Sequence, residues 1–353
     1  MTVLKLGSLF DGIGVFPLAA VHCGMEPVWA SEIEARPISI TKRHFPDMLH
    51  LGDITKISGA EIPPVDVITF GSPCQDLSQI GTRNGFAGKK SSLFYQAMRI
   101  IEEMRYATNG RYPAFCIWEN VAGAFSSNDR LDFAAMLSAF TGAEVSVPPR
   151  GWAHAGMVRG GCADTAWRLL DAQYWGEPAL VQRRKRVFVV ADFAGQRAGE
   201  VLFKPRTVLP FSTISGPGGL SATQRGGVPA AQTGRQVPIV RPFSLRRMRT
   251  MAQVGDQKGF CASFGRGGEP FPTLLASVTA PFSFWYEGEE RDGFLRALTP
   301  LECERLMDLP ENWTKYGCKD EEISDHARYR ALGNSIALPC AEYVMAGIAE
   351  VMN

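Results

Sequence analysis

The chain has 353 residues, of which 45% are hydrophobic and 21% are charged, and its formal net charge at pH 7 is +1. This length predicts one large core with a second, smaller lobe, and the composition excludes global disorder. The sequence contains no long apolar run and does not begin with a basic region followed by one. We therefore expect neither a membrane span nor a signal peptide, and we expect a cytoplasmic protein.

Eight cysteines are dispersed along the chain without a CxxC pair or a histidine-rich cluster. Structural zinc sites and the disulfide frameworks of small secreted domains usually show tight, regular cysteine spacing. The spacing here predicts neither a metal site nor a disulfide framework. We expect most of the cysteines to be small buried apolar residues.

The charge is distributed unevenly. The segment 205–283 contains nine Lys or Arg residues and two acidic residues, a local charge of +7 that leaves the rest of the chain near −6. Gly and Pro account for 20 of its 79 residues, and helical periodicity is lost there. We interpret the segment as a loop-rich lobe on which a polyanion can dock, with a disordered linker as the alternative.

Short apolar runs alternate with helical periodicity in the first half of the chain. The predicted strands lie at 4–9, 27–31, 65–70 and 114–118, and the predicted helices at 92–105 and 130–140. This alternation is typical of a doubly wound, mainly parallel α/β sheet. Because ligands bind such sheets at the carboxyl ends of the strands, the polar residues that follow the strands are candidate site residues.

A glycine-rich turn, Phe10-Asp11-Gly12-Ile13-Gly14, follows the first predicted strand. Such a turn lets a ligand approach the backbone, although many such turns are only tight connections. Glu32 follows the second strand, where an acidic residue hydrogen-bonds ribose in nucleotide-type sites, and Asp53 follows the next element. A solvated acid or a helix cap is the alternative for Glu32, but the three strand ends together predict a nucleotide-type cofactor site.

Cys74 lies in the segment Gly71-Ser72-Pro73-Cys74-Gln75, directly after the strand predicted at 65–70. A thiol on a turn at the ligand-binding edge of a sheet is placed for nucleophilic attack, whereas a structural cysteine more often lies within an apolar run. The following residues, 79–90, are rich in Gly and Lys, which predicts a loop able to close over a substrate.

Two later segments place polar side chains beside strands. Glu119 follows the apolar run 114–118, where desolvation can raise the pKa of its carboxyl group and let it act as an acid; a buried structural glutamate is the alternative. Gln182, Arg184 and Arg186 share one face of an extended segment. That face could hold an anion or a base oxygen, and a solvated basic edge strand is the alternative.

These motifs, taken in order, resemble those of the DNA (cytosine-5)-methyltransferase family. The resemblance spans nearly the whole chain, although Val181 stands where the family often has Pro before its QxRxR motif, and residues 144–167 have no familiar counterpart. The matching segments are Phe10 to Gly14, Glu32, Asp53, Pro73-Cys74-Gln75, Glu119-Asn120-Val121, the QxRxR residues Gln182, Arg184 and Arg186, residues 296–306, and Gly333-Asn334-Ser335.

The resemblance implies S-adenosylmethionine as the cofactor, S-adenosylhomocysteine as its product, and no metal. It also implies a catalytic and cofactor-binding domain of residues 1–195 plus 326–353, with a target-recognition domain and hinge at 196–325. The implied cofactor residues are Phe10, Asp11, Gly12, Gly14, Glu32, Ile33, Asp53, Ile54, Pro73, Asn334 and Ser335.

The implied reaction is methylation of carbon 5 of a cytosine flipped out of double-stranded DNA, through a covalent adduct of Cys74. Glu119 would offset charge on the base, Arg186 would hold its carbonyl oxygen, and Arg184 would support the nucleophile region. The implied DNA contacts are Gln75, Ser78, Arg83, Arg246, Arg247, Arg249 and Thr273.

We expect double-stranded DNA as the partner, a monomer that acts on nucleoid DNA, and a cognate restriction endonuclease as a further candidate partner. Methylation of transfer RNA is an open alternative, because one branch of the family does this, although the basic lobe favours DNA. A catalytically silent DNA-binding protein is another, and the presence of Cys74 and Glu119 counts against it. A nicotinamide dehydrogenase is disfavoured because Pro17 stands where the third glycine of its fingerprint belongs.

Overall fold

A computed structural model describes residues 2–72, 93–177, 179–204, 239–242, 271, 273–274, 282–286 and 293–353. The predicted loop at 79–90 therefore lies outside the described residues. The same holds for eight predicted site residues, namely Pro73, Cys74, Gln75, Ser78, Arg83, Arg246, Arg247 and Arg249.

The described part of the chain contains the following strands and helices. The strands are β1 (Lys5–Leu9), β2 (Glu26–Ser31), β3 (Leu49–His50), β4 (Val67–Phe70), β5 (Phe115–Val121), β6 (Ala155–Arg159), β7 (Asp164–Asp171), β8 (Lys185–Asp192), β9 (Ile239–Pro242), β10 (Phe282–Tyr286) and β11 (Gly293–Ala297). The helices are α1 (Val15–His22), α2 (Ala35–His44), α3 (Leu93–Ala107), α4 (Leu131–Thr141), α5 (Ala198–Leu202), α6 (Pro300–Leu306), α7 (Asp325–Asn334) and α8 (Leu338–Met352).

Within the described part of the chain, one sheet has the strand order β3-β2-β1-β4-β5-β8-β7-β6. The first five of these strands pair in parallel, and β8, β7 and β6 add through antiparallel pairs. The predicted class, a mainly parallel α/β sheet, is confirmed, and the four predicted strands match β1, β2, β4 and β5 to within a few residues. The remaining strands, β9 to β11, form a separate antiparallel sheet.

Two hydrophobic cores cover the two faces of the large sheet. Successive residues of the central strands alternate between them, as at Val67 and Ile68 in β4, because side chains of a strand point to opposite faces. One core includes side chains of α1 and α8, and the other includes side chains of α3 and α4. Helices on both faces are the reason why these strands read as continuous apolar runs.

The C-terminal part of the chain packs into the same core as β1. Trp313 is buried there, and its indole Nε1 donates a hydrogen bond to the carbonyl oxygen of Ile13, 2.8 Å away. Beside it, the fully buried carboxylate of Glu304 pairs with Arg328, with 3.0 Å between Oε1 and Nη2. The predicted division between the domains at 196–325 stays a prediction, since most of residues 205–292 are not described.

The strand that carries the QxRxR residues is an interior strand. β8 lies between β5 and β7, and Arg184, just before it, is only 1% exposed. The alternative of a solvated basic edge strand is therefore wrong. In the described ranges, no single helix is long and apolar enough to span a membrane, and the bent pair α7 and α8 passes that test by length and composition only.

Candidate active site

A cavity of about 1060 Å³ opens at the carboxyl ends of β1, β2, β4 and β5. This is the edge at which the sequence predicts a ligand site, and the fold explains why, because the parallel strands all end there. Twelve of the predicted site residues line the cavity: Phe10, Asp11, Gly12, Glu32, Ile33, Asp53, Ile54, Glu119, Arg186, Thr273, Asn334 and Ser335.

The turn between β1 and α1 forms one wall of the cavity. Phe10 has φ +54°, a left-handed conformation that is rare for an aromatic residue and that persists only where its surroundings enforce it. Gly12 and Gly14 also have positive φ, and Gly14 caps α1. Gly14 does not line the cavity; it lies against Thr41 and Phe45, so its structural role is to start the helix.

The side chain of Glu32 braces this turn. One of its carboxylate oxygens accepts a hydrogen bond from the backbone N–H of Gly12 at 2.9 Å. The other accepts from the N–H groups of Ile33 and Glu34 at 2.7 and 3.0 Å. A carboxylate has about four acceptor positions, so one remains for a ligand hydroxyl.

Ile33 and Asp53 lie on the far side of the cavity from Glu119. Ile33 is 72% exposed, which is unusual for isoleucine and leaves an apolar side chain for a flat ring to cover. The Asp53 carboxylate accepts hydrogen bonds from the backbone N–H and the hydroxyl of Thr55, and these bonds lower the pKa of Asp53. Asp53 is therefore ionised and oriented as an acceptor.

Asp11 contributes a second carboxyl group to the cavity wall formed by the turn between β1 and α1. Its Oδ1 accepts a hydrogen bond of 2.6 Å from the Ser8 hydroxyl, whereas its buried Oδ2 has no hydrogen-bond partner among the described residues. Burial, with a smaller contribution from the charge of Glu32, raises the pKa of Asp11 to about 7.

Helix α7 closes the cavity opposite the glycine-rich turn. His326, Arg330 and Asn334 are exposed residues spaced four apart, so they form one stripe along the helix that faces the cavity. Arg330 reaches across the opening to Glu34, at the start of α2, with 2.7 Å between Nη2 and Oε1. The sequence motifs predict Asn334 as a site residue, whereas His326, Arg330 and Glu34 belong to no motif and were not predicted.

Glu119 and Arg186 form the floor of the cavity at its β5 and β8 side. The Arg186 Nε and the Glu119 Oε1 are 2.9 Å apart, and the two side chains are 13% and 12% exposed. Burial raises the pKa of Glu119, and the positive charges of Arg186 and Arg184 oppose this shift. The carboxyl group can therefore hold a proton at higher pH than an ordinary glutamate.

The backbone that leads into Cys74 is fixed to β5 beside this pair. The Asn120 amide Nδ2 donates to the carbonyl oxygen of Ser72 at 3.0 Å, and the Trp118 indole Nε1 donates to the Ser72 hydroxyl at 3.1 Å. Gly71 approaches so closely that a Cβ there would lie 3.2 Å from Glu119 Oε2. Ser72 and Asn120 are thus site residues for which the sequence motifs alone predict no role.

Arg184 is buried behind the cavity wall and joins three separate segments. Its guanidinium donates to the carbonyl oxygens of Leu274, Gly333 and Ser335, and the Leu274 and Gly333 bonds measure 2.9 and 2.8 Å. The sequence predicts that Arg184 and Arg186 share one functional face. Of these two side chains, only Arg186 lines the cavity in the structure, and Arg184 holds the segment between α7 and α8 that contains Asn334.

Thr273 also lines the cavity, although its predicted role is DNA contact. Its hydroxyl donates to the carbonyl oxygen of Arg183 at 2.7 Å, which ties residue 273 to the start of β8. Gln182 is fully buried and pairs with Phe271 through the backbone. Within the described part of the chain, no group of three or more His, Cys, Asp or Glu side chains is arranged to hold a metal ion.

The fold is that of the Rossmann-like methyltransferases. The Dnmt2 methyltransferase of S. pombe superimposes with a TM-score of 0.62 at 15% sequence identity, over 100% of both chains. The model of the C-5 cytosine-specific DNA methylase family matches residues 4–205. The chain belongs to this family, the DNA (cytosine-5)-methyltransferases, and both the predicted family and the predicted enzyme class are confirmed.

Two relatives differ in what their names state. The type II methyltransferase M.HhaI of Haemophilus parahaemolyticus is 23% identical, over 100% of this chain and 96% of the relative. A protein of Escherichia phage P1 named DNA N-6-adenine-methyltransferase is 24% identical, over 98% of this chain. The chain spans 61% of that longer relative, so the phage protein has a large part without a counterpart here. The family uses S-adenosylmethionine as its methyl donor.

Proposed function

We propose that this chain transfers a methyl group from S-adenosylmethionine to carbon 5 of a cytosine flipped out of a short, specific sequence in double-stranded DNA, with Cys74 as the covalent nucleophile. One observation supports this proposal in addition to membership of the family. The bond from Asn120 to the Ser72 carbonyl anchors the backbone two residues before Cys74 beside the Glu119–Arg186 pair. A nucleophile, an acid and a cation would then meet at one end of the cavity.

The chemistry requires these three groups because carbon 5 of cytosine is a poor nucleophile. The Cys74 thiolate would form a bond to carbon 6 and make carbon 5 electron-rich. Glu119 would place its proton at ring N3 and so offset the charge that develops on attack, while Arg186 donates to the base carbonyl oxygen. Transfer of the methyl group to carbon 5 would release S-adenosylhomocysteine. Loss of the carbon 5 proton to a base, return of the N3 proton to Glu119 and expulsion of the Cys74 thiolate would then restore the aromatic ring.

The residues at the other end of the cavity fit S-adenosylmethionine, which supplies an electrophilic methyl group when bound. The exposed side chain of Ile33 offers an apolar surface for the adenine ring, and the oriented carboxylate of Asp53 offers an acceptor for its amino group. Glu32 retains an acceptor position for a ribose hydroxyl. Asn334 and Ser335 would close the pocket from α7, and we propose that Arg184 positions them.

The basic segment 205–283 would supply the DNA contacts of a target-recognition lobe within residues 196–325. Arg246, Arg247 and Arg249 are proposed to contact phosphates, because clustered arginines position a duplex without reading its bases. Arg247→Ala should weaken DNA binding and reduce the slope of log K against log salt by about 1. An unchanged slope would contradict a phosphate contact. We further propose a monomer that acts on cytoplasmic nucleoid DNA, with a restriction endonuclease as cognate partner.

The proposed function is tested in cells that lack other cytosine methylases. DNA and transfer RNA from cells that express the wild-type chain, Cys74→Ser or the control Cys318→Ser are digested to nucleosides for mass spectrometry, and the DNA is also sequenced after bisulfite treatment. We expect 5-methylcytosine in one short motif with the wild-type and Cys318→Ser chains and none with Cys74→Ser. N6-methyladenine in the DNA, or 5-methylcytosine confined to transfer RNA, would contradict the proposal.

A further inference from the structure

A group of exposed basic side chains lies at the carboxyl edge of the large sheet, outside the segment 205–283. Arg130 lies between β5 and α4, Arg150 lies shortly before β6, Arg183 precedes β8, and Lys185 is the first residue of β8. Because β6 and β8 run antiparallel to β5, the starts of these two strands and the end of β5 lie at the same edge of the sheet. We call Arg130, Arg150, Arg183 and Lys185 the basic edge.

The basic edge borders the cavity. Lys185 precedes Arg186 of the cavity floor, and the carbonyl oxygen of Arg183 accepts a hydrogen bond from the hydroxyl of Thr273, which also lines the cavity. Lys185 and Val187 are two positions apart in β8, so Lys185 is on the sheet face that α3 and α4 cover, whereas Arg186 is on the opposite face. The basic edge therefore extends from the cavity floor toward α4.

A tryptophan holds the two arginines of the basic edge near α4 next to each other. The Trp152 indole Nε1 donates to the carbonyl oxygen of Arg130 at 3.0 Å, and the Trp152 ring packs edge-on against Phe133, with 5.0 Å between the ring centroids. The Arg130 guanidinium lies against the turn at Gly151, where a Cβ would be 3.0 Å from the Arg130 Cζ. Because Arg150 directly precedes Gly151, its backbone lies close to the Arg130 guanidinium.

The backbone that leads to Arg130 has an uncommon conformation. Asn128, Asp129 and Arg130 have φ values of +46°, +52° and +74°, which makes three consecutive left-handed residues without a glycine. The buried carboxylate of Asp132 accepts hydrogen bonds from the Ser127 hydroxyl at 2.5 Å and the Asn128 amide at 3.1 Å, and these bonds hold the turn. A strained backbone that its surroundings enforce is typical of functional positions.

Protein carboxylates do not neutralise the basic edge. Within the described ranges, none of its four side chains forms an ion pair, whereas the exposed Arg330 on α7 pairs with Glu34. Two exposed acidic residues, Asp129 and Glu177, lie in the connections that carry the basic edge at this side of the sheet, which leaves a net charge of +2. The chain outside 205–283 has a net charge near −6, so this local positive charge favours a polyanion.

The length of the basic edge fits a nucleic-acid backbone. β5, β8, β7 and β6 are successive neighbours in the sheet. Neighbouring strands lie about 4.8 Å apart, so the edge from β5 to β6 is about 14 Å long. The phosphates of one strand of a duplex repeat about every 3.4 Å along the helix axis, so this edge spans about four of them.

We propose that the basic edge binds phosphates of the DNA duplex on one side of the target cytosine, as a contact surface separate from the segment 205–283. This inference rests on the proposed function, since it assumes duplex DNA as the substrate. Arg150 belongs to residues 144–167, which have no familiar counterpart in the family, so its contact is a feature of this chain. Arginine and lysine side chains at phosphates position a duplex without reading its bases.

The salt dependence of DNA binding by the full chain tests the proposal. The probe is a fluorescently labelled duplex of about 30 base pairs of mixed sequence, because phosphate contacts also act in binding that is not sequence-specific. Fluorescence anisotropy measures the affinity over a series of salt concentrations. S-adenosylhomocysteine is present throughout, because it has no methyl group to transfer. The same titrations with transfer RNA as the probe separate the two classes of nucleic acid.

Replacement of the two neighbouring arginines should weaken binding and its salt dependence. Arg130→Gln/Arg150→Gln removes two phosphate contacts, so the slope of log K against log salt should fall by about 1.8, and the affinity should fall by about tenfold or more at about 0.1 M salt. Arg150→Gln alone and Lys185→Gln alone should each lower the slope by about 0.9. These single variants keep the inference testable if the double variant does not fold.

Two matched controls separate the effect of charge from other effects. Arg130→Lys/Arg150→Lys keeps both charges and should keep the wild-type slope, because a lysine ammonium binds phosphate as a point charge. Arg111→Gln removes an exposed arginine that precedes β5, at the opposite edge of the same sheet, and should change neither the slope nor the affinity. The melting temperature of each variant shows whether it is folded.

The outcomes separate this inference from the proposed function. Unchanged slopes in all the Gln variants of the basic edge, with normal DNA methylation by the wild-type chain in cells, overturn the basic edge alone. An equal loss of slope in Arg111→Gln, or a loss of affinity for transfer RNA but not for the duplex, also overturns it. A wild-type chain that binds the duplex but leaves no 5-methylcytosine in cells overturns the proposed function. A wild-type chain that does not bind the duplex at any salt concentration overturns both.

Discussion

Glu119 and Arg186 lie on adjacent antiparallel strands, two positions out of direct register, and their Oε1 and Nε atoms are 2.9 Å apart at the floor of the cavity. The ion pair orients both side chains before a base enters. Burial raises the pKa of the Glu119 carboxyl group, and the positive charge of Arg186 opposes this shift. In the proposed reaction, the two side chains would act on different atoms of the cytosine ring.

Replacement of this acid should slow chemistry rather than cofactor binding. In Glu119→Gln the amide cannot transfer a proton to the base, so the single-turnover rate constant of methyl transfer should fall by about 10² to 10⁴. Affinity for S-adenosylmethionine should stay within about threefold, because Glu119 lies at the opposite end of the cavity. Glu102→Gln, at an exposed position on α3, is the matched control. An unchanged rate constant in Glu119→Gln would rule out an acid role.

A methyl group at residue 71 should displace the same carboxylate. In Gly71→Ala the added Cβ would lie 3.2 Å from Glu119 Oε2, which forces that side chain to move. Because small misplacements of reacting groups are costly, we expect the transfer rate to fall by about tenfold or more while the melting temperature changes little. Gly161→Ala, where a Cβ meets no atom within 4 Å, should leave the rate unchanged. Equal rates in both variants would show that Glu119 tolerates the shift.

Arg184 should matter for stability and for the cofactor pocket together. Arg184→Met leaves two buried carbonyl oxygens and one part-buried carbonyl oxygen without their donor, so the free energy of unfolding should fall by about 3–5 kcal/mol. Cofactor affinity should fall as well, because two of these carbonyls belong to the Gly333–Ser335 segment. The exposed neighbour gives the control, and Arg183→Met should change stability by less than about 0.5 kcal/mol. Chemical denaturation measures the free energy of unfolding of both variants. An Arg184→Met variant as stable as the wild type would exclude the positioning role.

The raised pKa of Asp11 also predicts how the ligand-free protein unfolds. Between the ordinary pKa and about 7, the folded state binds a proton at Asp11 that the unfolded state does not, so this group lowers the free energy of unfolding as pH rises through that window. Asp11→Asn should therefore gain stability relative to wild type from pH 4 to pH 8, by up to about 4 kcal/mol. Urea denaturation at several pH values measures the difference. A difference that does not grow with pH would show that Asp11 has an ordinary pKa.

The sequence predicted the sheet well because the signals involved are local. Apolar runs of four to seven residues that end in polar turns marked β1, β2, β4 and β5, and helices on both faces account for their continuous apolar character. The motifs predicted twelve of the residues that line the cavity but not His326 and Arg330 on α7. The edge-strand alternative for β8 was wrong, since a strand's neighbours in a sheet depend on chain topology rather than on its own residues.

The sequence by itself determined which residue types follow each strand, and therefore the kind of chemistry available at the carboxyl edge of the sheet. It also placed Arg184 and Arg186 together, because residues two apart share one face of an extended chain. Only the tertiary structure pairs Arg186 with Glu119 and lets Arg184 donate to the carbonyl oxygen of Gly333, which is 149 residues away in the sequence. Such contacts follow from how distant segments pack, and packing is a property of the whole chain that no local pattern encodes.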